Sequence, residues 1–183
     1  MIAQNFEYVV PASLGEAVNL LQKHAGRAKI LAGGHSLIPM MKLRLAAPEF
    51  LIDIGRIPEL SYVKEDGNKI RIGALTTHYM VETSDPIRRR ISALADAAGL
   101  IGDVQVRNKG TIGGSVAHAD PAADYPAGIL AFDSTIVTLG PQGERQIPAS
   151  KFFTDMMTTA LEENEIVREI QIPISTAKTG SAY

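Results

Sequence analysis

The sequence predicts an α+β fold of two lobes: a small β-α-β lobe and a larger lobe with a mixed or antiparallel sheet flanked by helices. Three observations support this prediction. Near the N-terminus, two strand-like runs enclose an amphipathic helical pattern, the order typical of a parallel β-α-β unit. Further on, Asp66-Gly67-Asn68 separates two short strand-like runs and predicts an antiparallel hairpin. Finally, 183 residues of which 45% are apolar can bury a substantial core.

The first lobe is predicted over residues 1–56. Ser13 and Glu16 have the spacing of a capping box, so a helix is expected to begin there, with Gly26 just beyond its end. The run Lys29–Ala32, apolar from Ile30 onward, predicts a buried strand that delivers a glycine pair to the carboxyl end of the sheet, where such sheets bind ligands. The other predicted elements are strands at 6–10 and 50–54 and a short helix at 39–45.

The second lobe is predicted over residues 57–177, where the pairing changes from parallel to antiparallel. Asp85-Pro86 precedes an amphipathic pattern that predicts one helix over Ile87–Ala98. The stretch Arg107–Pro126 is too polar for a core strand and is interpreted as a ligand-binding loop. The other predicted elements are a hairpin of 62–65 and 69–73, helices at 77–83 and 124–132, and strands at 135–139, 144–147 and 166–172.

The composition excludes several classes of function. A formal net charge of −2 and the lack of a dense basic run give no electrostatic footprint for nucleic acid. With no cysteine, the chain cannot itself hold an iron–sulfur cluster, a zinc thiolate site or a disulfide, so any such cluster must lie on another chain. Neither a secretory leader pattern nor an apolar run long enough to span a bilayer is present. The expected location is therefore the cytoplasm.

Two glycine pairs carry the strongest functional signal. ILAGGHSLIP at Ile30–Pro39 and TIGGS at Thr111–Ser115 both place a glycine pair beside a hydroxyl residue. Neither segment completes G-x-G-x-x-G or a P-loop, so the commonest nucleotide-binding folds are not indicated. Backbone N–H groups around each pair could form an anion-binding nest, and two nests together could hold one pyrophosphate. A plain tight turn is the alternative for either pair alone.

Residues beyond the second glycine pair allow three interpretations. Asp120 and Asp124 are suited to ribose or ribityl hydroxyls, because a carboxylate accepts hydrogen bonds from a diol and repels phosphate. Ser115, His118 and one of these aspartates are also the residue types of a hydrolytic triad, but the G-x-S-x-G elbow is absent. The same histidine and aspartates form only a weak metal-binding pattern. Hydrolysis and metal binding are therefore the less favoured interpretations.

Both segments resemble a known family. AGGHSLIPMMKLRL at Ala32–Leu45 and TIGGSVAHADPAADYP at Thr111–Pro126 resemble the FAD-binding medium subunits of molybdenum hydroxylases, most closely those of the carbon monoxide dehydrogenase type. Xanthine dehydrogenase and the wider vanillyl-alcohol oxidase group share this two-lobed FAD-binding domain. The resemblance covers nearly the whole chain, and both glycine segments occur in the family's order.

The resemblance implies that FAD is the cofactor. By similarity, residues 32–37 and 111–115 would hold its pyrophosphate and the adjoining ribityl chain, and Asp124 would contact polar groups of the flavin. Leu161 resembles the family's apolar contact to the isoalloxazine ring, and Ile101 its cover on one face. No catalytic side chain and no metal ligand are expected. The complete predicted cofactor-binding set is Ala32, Gly33, Gly34, His35, Ser36, Leu37, Ile101, Thr111, Gly113, Gly114, Ser115, His118, Asp120, Asp124 and Leu161.

The resemblance also implies partner chains: a molybdopterin-binding large subunit and a small subunit with a 2Fe-2S cluster. The flavin would pass electrons from that cluster to an external acceptor, and membrane association through the partners stays open. The alternative is a non-catalytic assembly module with a vestigial cofactor site. Residues 178–183 would begin a linker to a smaller C-terminal domain that follows in the family but not in this sequence. Without that domain, weaker FAD binding is expected.

Overall fold

The computed structural model describes residues 2–175 and 180–183, and within them the α+β fold class is confirmed. The first lobe contains β1 (Glu7–Val9), α1 (Leu14–Lys23), β2 (Ala28–Leu31), α2 (Leu37–Lys42) and β3 (Phe50–Asp53). Its three strands are parallel in the order β1-β3-β2, with β3 in the centre. The carboxyl ends of the strands therefore lie at one edge, where the first glycine pair follows β2.

Helix α1 begins as its capping pattern predicts. The Ser13 hydroxyl accepts a hydrogen bond from the N–H of Glu16 at 3.2 Å, and the Glu16 carboxylate accepts one from the N–H of Ala12 at 2.7 Å. The helix is capped at its C-terminal end by His24, so Gly26 lies one residue further out than predicted. Gly26 nevertheless has a left-handed conformation, with φ of 73°.

The second lobe is built on a five-stranded sheet of order β4-β5-β10-β6-β7, in which every neighbouring pair is antiparallel. Its strands are β4 (Val63–Asp66), β5 (Lys69–Gly73), β6 (Thr135–Gly140), β7 (Gly143–Pro148) and β10 (Ile166–Pro173), and β8 (Phe153–Asp155) and β9 (Thr158–Thr159) form a separate small hairpin. Its helices are α3 (His78–Thr83), α4 (Asp85–Arg90), α5 (Ser92–Leu100), α6 (Val104–Arg107), α7 (Ile112–His118), α8 (Asp124–Ala131) and α9 (Ala149–Phe152).

Two predictions for the second lobe are wrong. The helix predicted over 87–98 is two helices, because Ile91 leaves the helical region with φ of −144° and ψ of 56° while its side chain is buried in the core. The stretch interpreted as loop contains α7, although two of its residues, Gly113 and Gly114, disfavour helix. Tertiary packing of Ile112 and Val116, both fully buried, outweighs that preference.

The described residues form two large hydrophobic cores, of which the second joins the lobes. The larger core lies between the five-stranded sheet and the helices of the second lobe, with Tyr125 and Phe152 as its largest buried side chains. The second core contains the apolar face of α1, Ile52 of β3 and Ile166 of β10, so it includes residues of both lobes. The expected linker at 178–183 lies partly outside the described residues, and its described part, 180–183, contacts α5 and α8.

Two glycine-to-alanine substitutions, one in α7 and one in α8, test the packing of α7. We expect Gly113→Ala to lower the free energy of unfolding by about 1–3 kcal/mol, because its Cβ would lie 2.5 Å from the Cβ and 2.7 Å from the backbone of Ala74. Gly128→Ala in α8 is the control, since its Cβ would meet only Leu94, at 3.8 Å. That variant is expected to stabilise the protein by up to about 1 kcal/mol. Urea unfolding measures both, and equal effects would contradict the packing argument.

Candidate cofactor-binding site

The first glycine segment leaves backbone donors available. It connects β2 to α2, and Gly34 has a φ of 78°, a conformation that glycine adopts without strain. In the described parts of the chain, the N–H groups of Gly34, His35 and Ser36 have no hydrogen-bond acceptor, and the Ser36 side chain does not cap α2. These donors fit the predicted anion-binding nest, because they can bind phosphate oxygens without breaking a bond within the protein.

Close backbone contact joins the two glycine segments. A Cβ on Gly33 would lie 2.2 Å from the carbonyl oxygen of Lys109 and 2.7 Å from the Cα of Gly110. A Cβ on Gly114 would lie 2.8 Å from the Thr111 hydroxyl and 3.9 Å from the Cβ of Ala32. Glycine is therefore required at position 33 for the approach of the segments. The structure thus brings together the two segments that the sequence analysis treated as partners.

The second glycine segment does not form the predicted second nest. Thr111 is the N-cap of α7, and its hydroxyl accepts a hydrogen bond from the N–H of Gly114 at 3.2 Å. The N–H of Gly113 donates to the carbonyl of Ala74 at 2.9 Å. Because both glycine N–H groups already have partners, the prediction of a nest here is wrong. The segment can therefore offer a ligand only the partly buried Gly114, which has no side chain, and the half-buried hydroxyl of Ser115.

The polar residues after α7 do not form a catalytic group. His118 ends α7, and Asp120 uses its carboxylate to accept from the N–H of Ala122 at 2.9 Å. Among the described residues, no hydrogen bond joins Ser115 or His118 to an aspartate, and no cluster of three metal-ligating side chains occurs. The hydrolytic and metal-binding interpretations therefore lack structural support. Asp124 begins α8, and its carboxylate accepts a hydrogen bond from the Tyr183 hydroxyl at 2.7 Å.

Ile101 and Leu161 are positioned by the core of the second lobe. Both are half-buried and pack against its edge. Ile101 ends α5, and its carbonyl accepts a hydrogen bond from the Arg107 guanidinium at 3.1 Å. Within the first segment, the side chains of His35 and Ser36 are exposed, whereas Leu37 packs against Leu31 and Met41 in a small core of the first lobe.

Sequence reasoning missed His78, which supports the second segment from behind. Its Nδ1 lies 3.1 Å from the hydroxyl of Tyr125, and a Cβ on Gly110 would lie 2.5 Å from its Nε2. The backbone N–H of His78 donates to the carbonyl of Gly110 at 3.0 Å. Burial lowers the pKa of His78 to about 4, and the charge of His35 adds to this effect while that of Asp124 opposes it. No local motif in the sequence marks His78.

Fold and site together define the class of protein. The chain belongs to the family described as the FAD binding domain in molybdopterin dehydrogenase, whose pattern matches residues 4–175. FAD is therefore its cofactor. Among the described residues, no helix is long and apolar enough to cross a membrane.

Two relatives are similar in sequence over nearly the whole chain. The chain is 51% identical to the carbon monoxide dehydrogenase medium chain of Hydrogenophaga pseudoflava, over all of this chain and 64% of that protein. It is 40% identical to the glyceraldehyde dehydrogenase medium chain of Sulfolobus acidocaldarius, over 95% of this chain and 62% of that protein.

Solved structures agree with these relatives. The structure matches a chain of the H. pseudoflava carbon monoxide dehydrogenase with a TM-score of 0.94, covering 97% of this chain and 62% of that one. A chain of quinoline 2-oxidoreductase from Pseudomonas putida 86 matches with a TM-score of 0.93 at 32% identity, covering 96% of this chain and 61% of that one. The chain thus spans less than two thirds of the length of these relatives.

The buried histidine makes stability depend on pH. The pKa of His78 is lower in the folded chain, at about 4, than the ordinary value of 6.5, so the unfolded chain binds more protons between these values. As pH falls through this window, the free energy of unfolding should fall by up to about 1.4 kcal/mol per pH unit on account of His78. In His78→Gln, which stays neutral, the slope should be correspondingly shallower. Urea unfolding from pH 7 to 4.5 measures both slopes, and identical slopes would contradict the assignment.

Proposed function

We propose that this chain holds FAD across its two glycine segments and acts as the electron-transfer component of a molybdenum hydroxylase of the carbon monoxide dehydrogenase type. One observation carries the proposal: the first segment has backbone N–H groups without acceptors, and the second has a position without a side chain at Gly114. N–H groups of residues 34–36 lie on the first lobe, and Gly114 lies on the second. A dinucleotide, which combines an anionic pyrophosphate with hydroxyl-bearing chains, is a ligand of matching chemistry.

Each part of the site then has a role toward FAD. The N–H groups of Gly34, His35 and Ser36 would bind pyrophosphate oxygens, and Gly114 would let the ligand approach α7 while the Ser115 hydroxyl donates to it. Asp120 and Asp124 would accept hydrogen bonds from hydroxyl or N–H groups. Apolar contact with the isoalloxazine ring would come from two half-buried side chains, Ile101 and Leu161. Ala32, Gly33, Leu37, Thr111, Gly113 and His118 would support these contacts.

The chemistry of the site would be redox chemistry alone. When bound, FAD supplies the ability to take up electrons singly and to release them to an acceptor. The protein binds and orients the cofactor, and the proposed mechanism requires no side chain as a general acid or base. These 183 residues contain no cysteine to hold an iron–sulfur cluster, so the proposed electron donor is a cluster on a partner. We therefore propose a 2Fe-2S small subunit and a molybdopterin large subunit as partners, in the cytoplasm.

Substitution of Gly114 tests the binding site. We expect Gly114→Val to weaken FAD binding about tenfold or more, because its branched side chain would enter the space beside Thr111 and Ala32. Gly15→Val is the matched control: Gly15 also lies in the first turn of a helix, and a Cβ there would meet nothing within 4 Å. Fluorescence titration with FAD gives both affinities, and circular dichroism checks the fold.

The results of these experiments distinguish an FAD-binding electron-transfer component from a non-catalytic assembly module. Normal FAD affinity in a folded Gly114→Val protein would show that this glycine serves only the backbone. If the unsubstituted chain bound no FAD but still assembled with iron–sulfur and molybdenum subunits, it would be an assembly module. If it bound FAD but the flavin stayed oxidised when a reduced iron–sulfur partner was added, the electron-transfer role would be rejected. Bleaching of the flavin absorption under those conditions is the expected result.

A further inference from the structure

The segment Gly180–Tyr183 is attached to α5. The Ser92 hydroxyl donates to the carbonyl of Ser181 at 2.8 Å, and the Ser181 hydroxyl accepts from the N–H of Ala93 at 3.3 Å. Helix α5 receives no cap from the side chain of its own N-cap residue, Ile91. Ser181 therefore satisfies a backbone donor in the first turn of α5, which fixes the segment against the second lobe.

The same segment contacts a residue of the predicted cofactor-binding set through Tyr183. Its hydroxyl donates to Oδ1 of Asp124 at 2.7 Å, and this hydrogen bond is the main reason that the pKa of Tyr183 is raised. Asp124 is the first residue of α8, a helix that packs against α5. Ser181 and Tyr183 thus join the same segment to two neighbouring helices, with the second contact on a residue of the predicted cofactor-binding set.

Asp124 is an anion without a cationic partner. In the described parts of the chain it forms no salt bridge, and the Tyr183 hydroxyl is its one hydrogen-bond donor from a side chain. Its neighbours on the buried side are neutral, since burial lowers the pKa of His78 and raises that of Tyr125. A carboxylate in these surroundings repels phosphate and accepts hydrogen bonds from neutral hydroxyl or N–H groups.

We propose that Tyr183 is a positioning residue for Asp124. By donating to Oδ1 it fixes the plane of the carboxylate and leaves Oδ2 to accept a hydrogen bond from a ribityl hydroxyl or a flavin N–H. A side chain held in its binding orientation loses less conformational entropy when the ligand binds. This inference rests on the proposed function, because it gives Asp124 a role toward FAD. It adds a residue that does not itself touch the cofactor.

A double-mutant cycle tests the inference in this chain. Tyr183→Phe removes only the hydroxyl and is expected to weaken FAD binding about fivefold. Asp124→Asn is expected to weaken it further, and the double variant should match Asp124→Asn, because Tyr183 acts through Asp124. Tyr79→Phe is the control, since Tyr79 is exposed and its hydroxyl has no hydrogen-bond partner among the described residues. Fluorescence titration with FAD measures the affinities of the unsubstituted chain and of these four variants.

Two further measurements separate this role from a structural one. Ser181→Ala, which loosens the segment without touching Tyr183, should weaken FAD binding less than Tyr183→Phe does. Spectrophotometric titration of the FAD-free protein should show one tyrosine, absent in Tyr183→Phe, whose raised pKa falls in Asp124→Asn. Wild-type affinity in Tyr183→Phe, or an equal loss with and without Asp124, would overturn the inference. Failure of the unsubstituted chain to bind FAD, with the tyrosine titration as expected, would instead overturn the proposed function and leave the contact structural.

Discussion

The contact between Gly33 and the Lys109–Gly110 backbone is the constraint on which the site depends. It joins a segment of the first lobe to one of the second at a distance that any side chain at position 33 would prevent. Behind it, Gly110 rests on His78, which is in turn hydrogen-bonded to Tyr125 in the main core. The glycine segments are therefore supported by a continuous series of contacts that begins in the hydrophobic interior.

Donors and surface are divided between the lobes. The first lobe supplies free N–H groups because its segment joins a strand to a short uncapped helix. The second lobe supplies a closed surface, because Thr111 and Ala74 already pair the N–H groups of the two glycines of α7. The first lobe thus provides hydrogen-bond donors, and the second provides a surface without side chains that a ligand can approach. The two similar glycine pairs therefore have different structural roles.

Local patterns predicted most of the fold and part of the site. Ser13 and Glu16 mark the start of α1 because capping depends on neighbours in sequence. The break at Ile91 could not be predicted, since it follows from burial of that side chain against distant residues. The glycine segments were recognised, but the pairing of Gly113 with Ala74 and the support from His78 join residues that are remote in sequence. Backbone pairing of that kind leaves no local signature.

Helix α1 has a consequence for the energetics of the whole chain. Its apolar face is buried against residues of both sheets, so its packing helps to hold the two lobes together. A ligand bound across Gly33 and Gly114 would contact both lobes at the same time, and its binding free energy would add to the packing free energy of α1. FAD binding and the packing of the two lobes against each other would then be thermodynamically linked. Substitutions that loosen the packing of α1 would lower the affinity for FAD even though they lie far from the site.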